Sequence, residues 1–142
     1  MIEGINVTKY FGGVRALNNV NFHVENCEIV GLIGPNGSGK TTLFNIISGY
    51  VAPTKGKIIF RGTDITNLKP YKICRMGIAR TFQTPKPFLR MTVYENILVP
   101  IVFMGKRINR KRIDKEEITQ LLEKLNLITK ISALASELTL YE

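Results

Sequence analysis

The residues able to do chemistry are concentrated in one short stretch. Gly34-Pro35-Asn36-Gly37-Ser38-Gly39-Lys40-Thr41 fits G-x-x-x-x-G-K-[ST] at every fixed position. Glycines at this spacing let the backbone curl until successive N–H groups converge on phosphate oxygens. A helix opening at Lys40 would add the positive end of its dipole. Lys40 can reach the β- and γ-phosphates, the Thr41 hydroxyl can ligate Mg²⁺, and Thr42 can place a second hydroxyl near the α-phosphate. The expected phosphate-binding set is therefore Asn36, Gly37, Ser38, Gly39, Lys40, Thr41 and Thr42. Such a loop serves GTPases, kinases and motor ATPases alike, so by itself it implies a nucleotide and no particular reaction.

A loop of this kind must be carried by a strand on one side and a helix on the other. Residues 28–33 form a continuous apolar run, the pattern of a strand covered on both faces. A helix is expected from about 40 to 48, with Gly49 as its C-terminal stop. Earlier strands are expected over 2–8 and 19–25. In the second, Val20, Phe22 and Val24 alternate with Asn21, His23 and Glu25, as on a half-buried antiparallel strand. Further along, 57–61 reads as a strand, 69–76 as a short helix and 78–82 as a strand. After Thr84 the pattern turns helical. Pro85 and Pro87 make a rigid link, Thr92 and Glu95 form a capping box, and a further helix is expected over about 110–125. There Ile118, Leu121, Leu122 and Leu125 follow one helical stripe.

The 142 residues suit one domain, and 44% hydrophobic with 22% charged residues excludes a disordered chain. No leader is expected, because Met1 is followed by Ile2, Glu3 and Gly4. No membrane span is expected either: the apolar run 97–104 is short and broken by Pro100. Cys27 and Cys74 form no paired motif and read as free thiols. The net charge of +9 gathers in Lys106, Arg107, Arg110, Lys111, Arg112 and Lys115. No aromatic residue is interleaved there, so a solvated or partner-docking helical face is expected and no specific nucleic-acid site. His23 reads as a satisfied surface residue and Asp64 as a turn residue.

Several strings identify a resemblance. Lys9-Tyr10-Phe11-Gly12-Gly13 followed by Arg15-Ala16-Leu17, the G-x-N-G-x-G-K-T form of the phosphate loop, the run 56–65, and Arg80-Thr81-Phe82-Gln83 resemble the ATP-binding subunits of ABC transporters along the whole chain. Gly77-Ile78-Ala79-Arg80-Thr81-Phe82-Gln83 and Met91-Thr92-Val93-Tyr94-Glu95-Asn96-Ile97 are most similar to ATPases of branched-chain amino-acid importers, with lipopolysaccharide-export and urea-import ATPases as near relatives.

The resemblance implies an α/β fold, a P-loop NTPase core of ABC type with an antiparallel β-subdomain and the start of a helical subdomain. It implies a core over 1–83 and a helical part over 84–142. It also implies that Phe11 stacks on adenine, and that Gln83 contacts Mg²⁺ and the attacking water and hinges the two parts. The partners implied are ATP, transmembrane permease subunits and a second ATP-binding subunit. The location implied is the cytoplasmic face of the membrane.

The chain departs from the family at Leu138-Thr139-Leu140-Tyr141-Glu142, where the signature motif is expected. Leu140 and Tyr141 stand in place of two glycines, and Glu142 in place of a glutamine. No Asp-Glu pair ends an apolar strand, so ATP binding without hydrolysis is expected of this truncated chain. The alternatives are a non-transport ABC ATPase or an inactive truncated gene product. A GTPase is disfavoured because Asn67-Leu68-Lys69-Pro70 supplies no Asn-Lys-x-Asp base reader.

Overall fold

The computed structural model describes residues 1–105 and 115–142. Two compact units are present, Met1–Arg80 and Thr81–Glu142. Gln83 thus falls in the second unit, three residues past the division.

The first unit is built on an antiparallel sheet of order β2-β1-β3-β4, where β1 is Ile2–Phe11, β2 is Val14–Val24, β3 is Lys55–Phe60 and β4 is Thr63–Asp64. Strands β1 and β2 run further than the alternation predicted and close through Gly12-Gly13, with Phe11 opposite Val14. The second strand keeps its predicted faces: Val20, Phe22 and Val24 are half-buried, and Asn21, His23 and Glu25 are exposed. The ladder is interrupted near Asn6 and Asn19, which have φ of 49° and 48°. Asparagine tolerates that region, and its side chain replaces lost ladder bonds. Asn6 N donates to Asn21 Oδ1 at 2.8 Å, and Thr8 Oγ1 donates to Asn19 Oδ1 at 3.0 Å.

Helix α1 (Lys40–Ile47) and helix α2 (Pro70–Met76) complete this unit. Leu43 and Ile46 of α1 and Ile73 of α2 join Val7, Leu17, Ile58 and Ile65 in one buried apolar cluster. Helix α1 ends as expected: Gly49 takes a φ of 74°, its N–H donates to the Ile46 carbonyl at 3.0 Å, and Tyr50 N–H donates to the Asn45 carbonyl at 2.9 Å. That paired closure needs a left-handed residue, and glycine adopts it without a Cβ clash.

Two expected strands do not form. Residues 28–33 and 78–82 carry no strand assignment. The side chains of Ile29 and Ile33 are 100% and 95% exposed. A buried strand needs ladder partners on its edges, and no described segment pairs with either stretch. An apolar run states only that cover is wanted. It does not supply the cover.

The second unit contains α3 (Val93–Gly105), α4 (Lys115–Lys124) and short 3-10 turns at Ile128–Lys130 and Ala135–Glu137. The predicted capping box opens α3: Thr92 N–H donates to Glu95 Oε2 at 2.8 Å, and Glu95 N–H to Thr92 Oγ1 at 3.2 Å. Asn96 fastens the preceding loop, accepting from Phe88 N–H at 2.8 Å and donating to the Phe88 and Thr92 carbonyls. The core is Val93, Ile118 and Leu122.

The expected four-residue stripe on α4 is corrected. Ile118 and Leu122 are buried, but Leu121 is 44% and Leu125 56% exposed. Leu121 lies on the flank of the stripe and turns outward where the cover is narrow, whereas Leu125 lies past the end of α4 at Lys124, where the helical period no longer sets its direction. The expected start of this helix at 110, and the basic cluster Lys106, Arg107, Arg110, Lys111 and Arg112, lie outside the described residues. Among the described residues no helix is long and apolar enough to cross a membrane.

Candidate functional site: the phosphate loop

Residues 34–39 form an irregular turn leading directly into α1. Gly37 and Gly39 have φ of 80° and 91°, so both need the conformation that the sequence pattern reserves for glycine. Gly39 is also pressed against its surroundings: a Cβ there would lie 2.6 Å from the Ala16 carbonyl oxygen and 2.8 Å from Leu17. Any side chain would push the loop off β2.

Lys40 bends back over the loop that precedes it. Its Nζ donates to the carbonyls of Gly34 and Pro35, both at 2.7 Å, and to Ser38 Oγ at 3.4 Å. Each of its three ammonium protons has a neutral acceptor. An anion entering the loop offers the same ammonium a charged acceptor, adding ion-pair attraction to bonds that the ammonium charge already strengthens. A hollow of about 270 Å³ opens beside these groups, bounded by Leu32, Ile33, Gly34, Pro35, Ser38 and Lys40 among others. Thr41 is exposed and Thr42 half-buried in the first turn of α1, where backbone N–H groups have no intrahelical acceptor. Asn36 is exposed at the tip of the turn.

A divalent cation would find few protein ligands here. Among the described residues no group of three or more His, Cys, Asp or Glu could hold a metal. The Thr41 hydroxyl suits Mg²⁺, which prefers few protein oxygens and completes its shell with phosphate and water.

Of the residues expected at the site, the structure brings together Ser38, Gly39 and Lys40 around the hollow, with Thr41 and Thr42 following in the same helix. Phe11 does not line the hollow. It stands exposed at the end of β1, with Lys9 Nζ 5.0 Å from its ring centroid, a cation–π contact. Gln83 occupies an exposed bend of the second unit.

Residues with other expected roles are placed as follows. His23 Nε2 lies 2.7 Å from Glu25 Oε1, and that contact holds the Glu25 carboxyl below its ordinary range. Asp64 accepts from the Thr66 hydroxyl and from Thr66 N–H, which lowers its pKa and marks it as a turn residue. Cys27 and Cys74 are free and exposed.

Two features escaped the sequence. The first is at the expected signature position. Thr139 and Glu142 form a second capping box: Thr139 N–H and Oγ1 each donate to Glu142 Oε2 at 2.9 Å, and Glu142 N–H donates to Thr139 Oγ1 at 3.4 Å. Lys130 also donates to Glu142. Thr-x-x-Glu was visible in the sequence as a helix-start pattern. The second is Arg80, whose Nη1 donates to Asn45 Oδ1 at 2.7 Å and Ser48 Oγ at 2.9 Å on the last turns of α1. No local pattern announces a pair 32 residues apart.

Comparison with known proteins agrees with this geometry. The ABC transporter family matches residues 17–139. "Probable branched-chain amino acid transport ATP-binding protein LivG" of Archaeoglobus fulgidus is 49% identical over 108 residues, covering 76% of this chain and 42% of that protein. A solved structure of the ADP conformation of MJ1267, an ATP-binding cassette of an ABC transporter, superposes with a TM-score of 0.75 at 37% identity, covering 98% of this chain and 59% of that one. A dimeric post-hydrolysis structure of the ATP-binding cassette MJ0796, bound to ADP and Pi, superposes with a TM-score of 0.76 at 28% identity, covering 99% and 64%. The chain thus spans less than half the length of that curated relative. With its glycine-governed loop, its lysine folded over that loop and its helix behind them, this chain belongs to the ABC transporter ATP-binding family.

Proposed function

We propose that the chain binds ATP with Mg²⁺ through residues 34–42 and forms the nucleotide-binding front of an ABC importer ATPase that energises uptake of branched-chain amino acids. The observation that carries this reading is the closure of Lys40 over the carbonyls of Gly34 and Pro35. On binding, Lys40 exchanges those neutral acceptors for phosphate oxygens. The first-turn N–H groups of α1 and the backbone at Gly37 and Gly39 receive the remaining phosphate charge. Thr41 would supply a hydroxyl ligand to Mg²⁺, which would neutralise charge on the phosphates. Gln83 keeps its proposed part in holding the metal and the attacking water on the strength of the Arg80-Thr81-Phe82-Gln83 pattern. Phe11 is the proposed platform for adenine.

The transported amino acid is proposed from the named relative. A membrane permease and a second ATP-binding subunit are the proposed partners, and the permease would hold the protein at the cytoplasmic face.

The chain itself is proposed to bind ATP without turning it over. Hydrolysis needs a group to orient or deprotonate water, and losing a general base costs a factor of about 10²–10⁴. No Asp-Glu pair occurs in the 142 residues.

Titration with fluorescent ATP tests the binding. Lys40→Ala should weaken affinity by about 1.5–3 kcal/mol, the range for a hydrogen bond to a charged group. Equal affinity in both proteins would remove the phosphate loop from the reading. Phosphate release at about one per second that vanishes in Lys40→Ala would overturn the non-hydrolytic part.

A further inference from the structure

Helix α1 presents Lys40, Thr41 and Thr42 at its first turn, and a side chain from far along the sequence holds its last turn. Arg80 Nη1 donates to Asn45 Oδ1 and Ser48 Oγ, and its guanidinium carbon lies 5.9 Å from the centroid of the Tyr50 ring. Ser48 is the C-cap of α1 and buried, and its hydroxyl proton is given to the Phe44 carbonyl. The oxygen's lone pairs therefore face a donor, which Arg80 provides. A guanidinium beside a helix C-terminus is further favoured by the negative end of the helix dipole.

The position of Arg80 in the chain gives these bonds their consequence. It is the last residue of the first unit and stands three residues before Gln83. Residues 78–82 join no strand ladder. Ile78 packs on the core, and Arg80 ties the next turn of backbone to side chains of α1. An eight-residue helix is a rigid rod of about 12 Å, so a shift at one end moves the other.

We infer that Arg80 is a positioning residue that fastens the segment leading to Gln83 onto the C-terminal end of the phosphate-loop helix, so that nucleotide binding at Lys40 is transmitted through α1 to Gln83. This rests on the proposed ATP site. A guanidinium suits the task because its planar fork loses little freedom on binding two acceptors at once.

Amide hydrogen exchange on the whole 142-residue chain tests the inference, with Arg80→Ala, Arg80→Lys and Asn45→Leu as variants. Without nucleotide, Arg80→Ala should speed exchange at 45–50 and 79–83 about tenfold, the change expected when about 1.4 kcal/mol of local stability is lost. Arg80→Lys should recover only part of this, because an ammonium can still donate but lacks the planar fork. Asn45→Leu keeps the branching at Cγ, removes one acceptor and should act like Arg80→Ala even if that variant folds poorly. With Mg·ATP, the wild type should gain protection at 34–42 and at 79–84. Arg80→Ala should keep the first and lose the second. Unchanged exchange in nucleotide-free Arg80→Ala, or an ATP effect at 79–84 that persists in it, would overturn the inference. A wild type that gains no protection at 34–42 would instead overturn the ATP site, and the nucleotide-free comparison would still judge whether Arg80 fastens the segment.

Discussion

Ile58 and Leu122 are both fully buried, in units assembled on different terms. Around Ile58 the contacts join distant parts of the chain: Gly4 faces Ile58 and Ile2 faces Phe60 across β1 and β3. Around Leu122 local and distant bonds are combined: Val93 N–H donates to the Ala133 carbonyl, Tyr94 N–H to that of Ile131 and Ala135 N–H to that of Met91, beside the caps at the start of α3. Thr92 and Glu95 start α3, and Asn96 holds the turn just before it. The first unit depends on tertiary pairing to exist at all. The second adds short-range caps at α3 to a few backbone bonds between residues 89–94 and 131–136, around a small buried stripe.

That contrast can be broken or sharpened by substitution. The largest effect is expected from core truncation. Ile58→Ala should destabilise the first unit by about 2–5 kcal/mol, toward the upper end because a seven-residue cluster cannot collapse around the gap. Leu122→Ala should fall toward the lower end of the same range, since among the described residues Val93 and Ile118 are its buried neighbours and the rest of its cover is half-buried. Denaturant melts read through each unit's own amides would measure both. A larger loss for Leu122→Ala would reverse the ranking.

A smaller effect is expected at the start of α3. Thr92→Ala removes one cap and should cost about 1 kcal/mol, with faster exchange confined to 93–97. A loss above about 3 kcal/mol would mean that the box supports tertiary structure and not only the helix start.

The smallest effect concerns acid. Lys130 and then the Thr139 backbone and hydroxyl hold the Glu142 carboxyl at a pKa of about 2, below its usual 4.5. A depressed folded pKa means that the charged form stabilises the fold above pH 4.5 and that this contribution fades as pH falls toward about 2. Glu142→Gln should therefore melt below the wild type at neutral pH and converge with it as the medium is acidified. Parallel melting curves for the two proteins across that window would show that the second capping box contributes nothing.

How much was legible follows from the same division. The turn of residues 34–39 into α1, the Gly49 stop and the Thr92–Glu95 box are each written within a few residues, and each is present. The alternation of Val20, Phe22 and Val24 was also sufficient, since a half-buried strand states its own faces. Residues 28–33 and 78–82 were misread because pairing is supplied by other segments, and an apolar run does not say which. Leu121 was misread because the helix period fixes a direction and not the width of the cover, and Leu125 because α4 ends at Lys124, short of the expected 125. Arg80 was seen only as part of a family string. Its partners, Asn45 and Ser48, became visible when the chain was folded.

The unpaired stretch 28–33 carries a consequence for the molecule in concentrated solution. Ile29, Val30, Leu32 and Ile33 give it high strand propensity with no charge between Glu28 and Pro35. Two of these side chains are almost wholly in water. Short segments of this composition, left with open backbone donors and acceptors, template cross-strand stacking between molecules. Glu28 on one side and Pro35 on the other act as gatekeepers that limit how far such a stack can spread. Colloidal behaviour is therefore written into the strand-like run that leads to the phosphate loop.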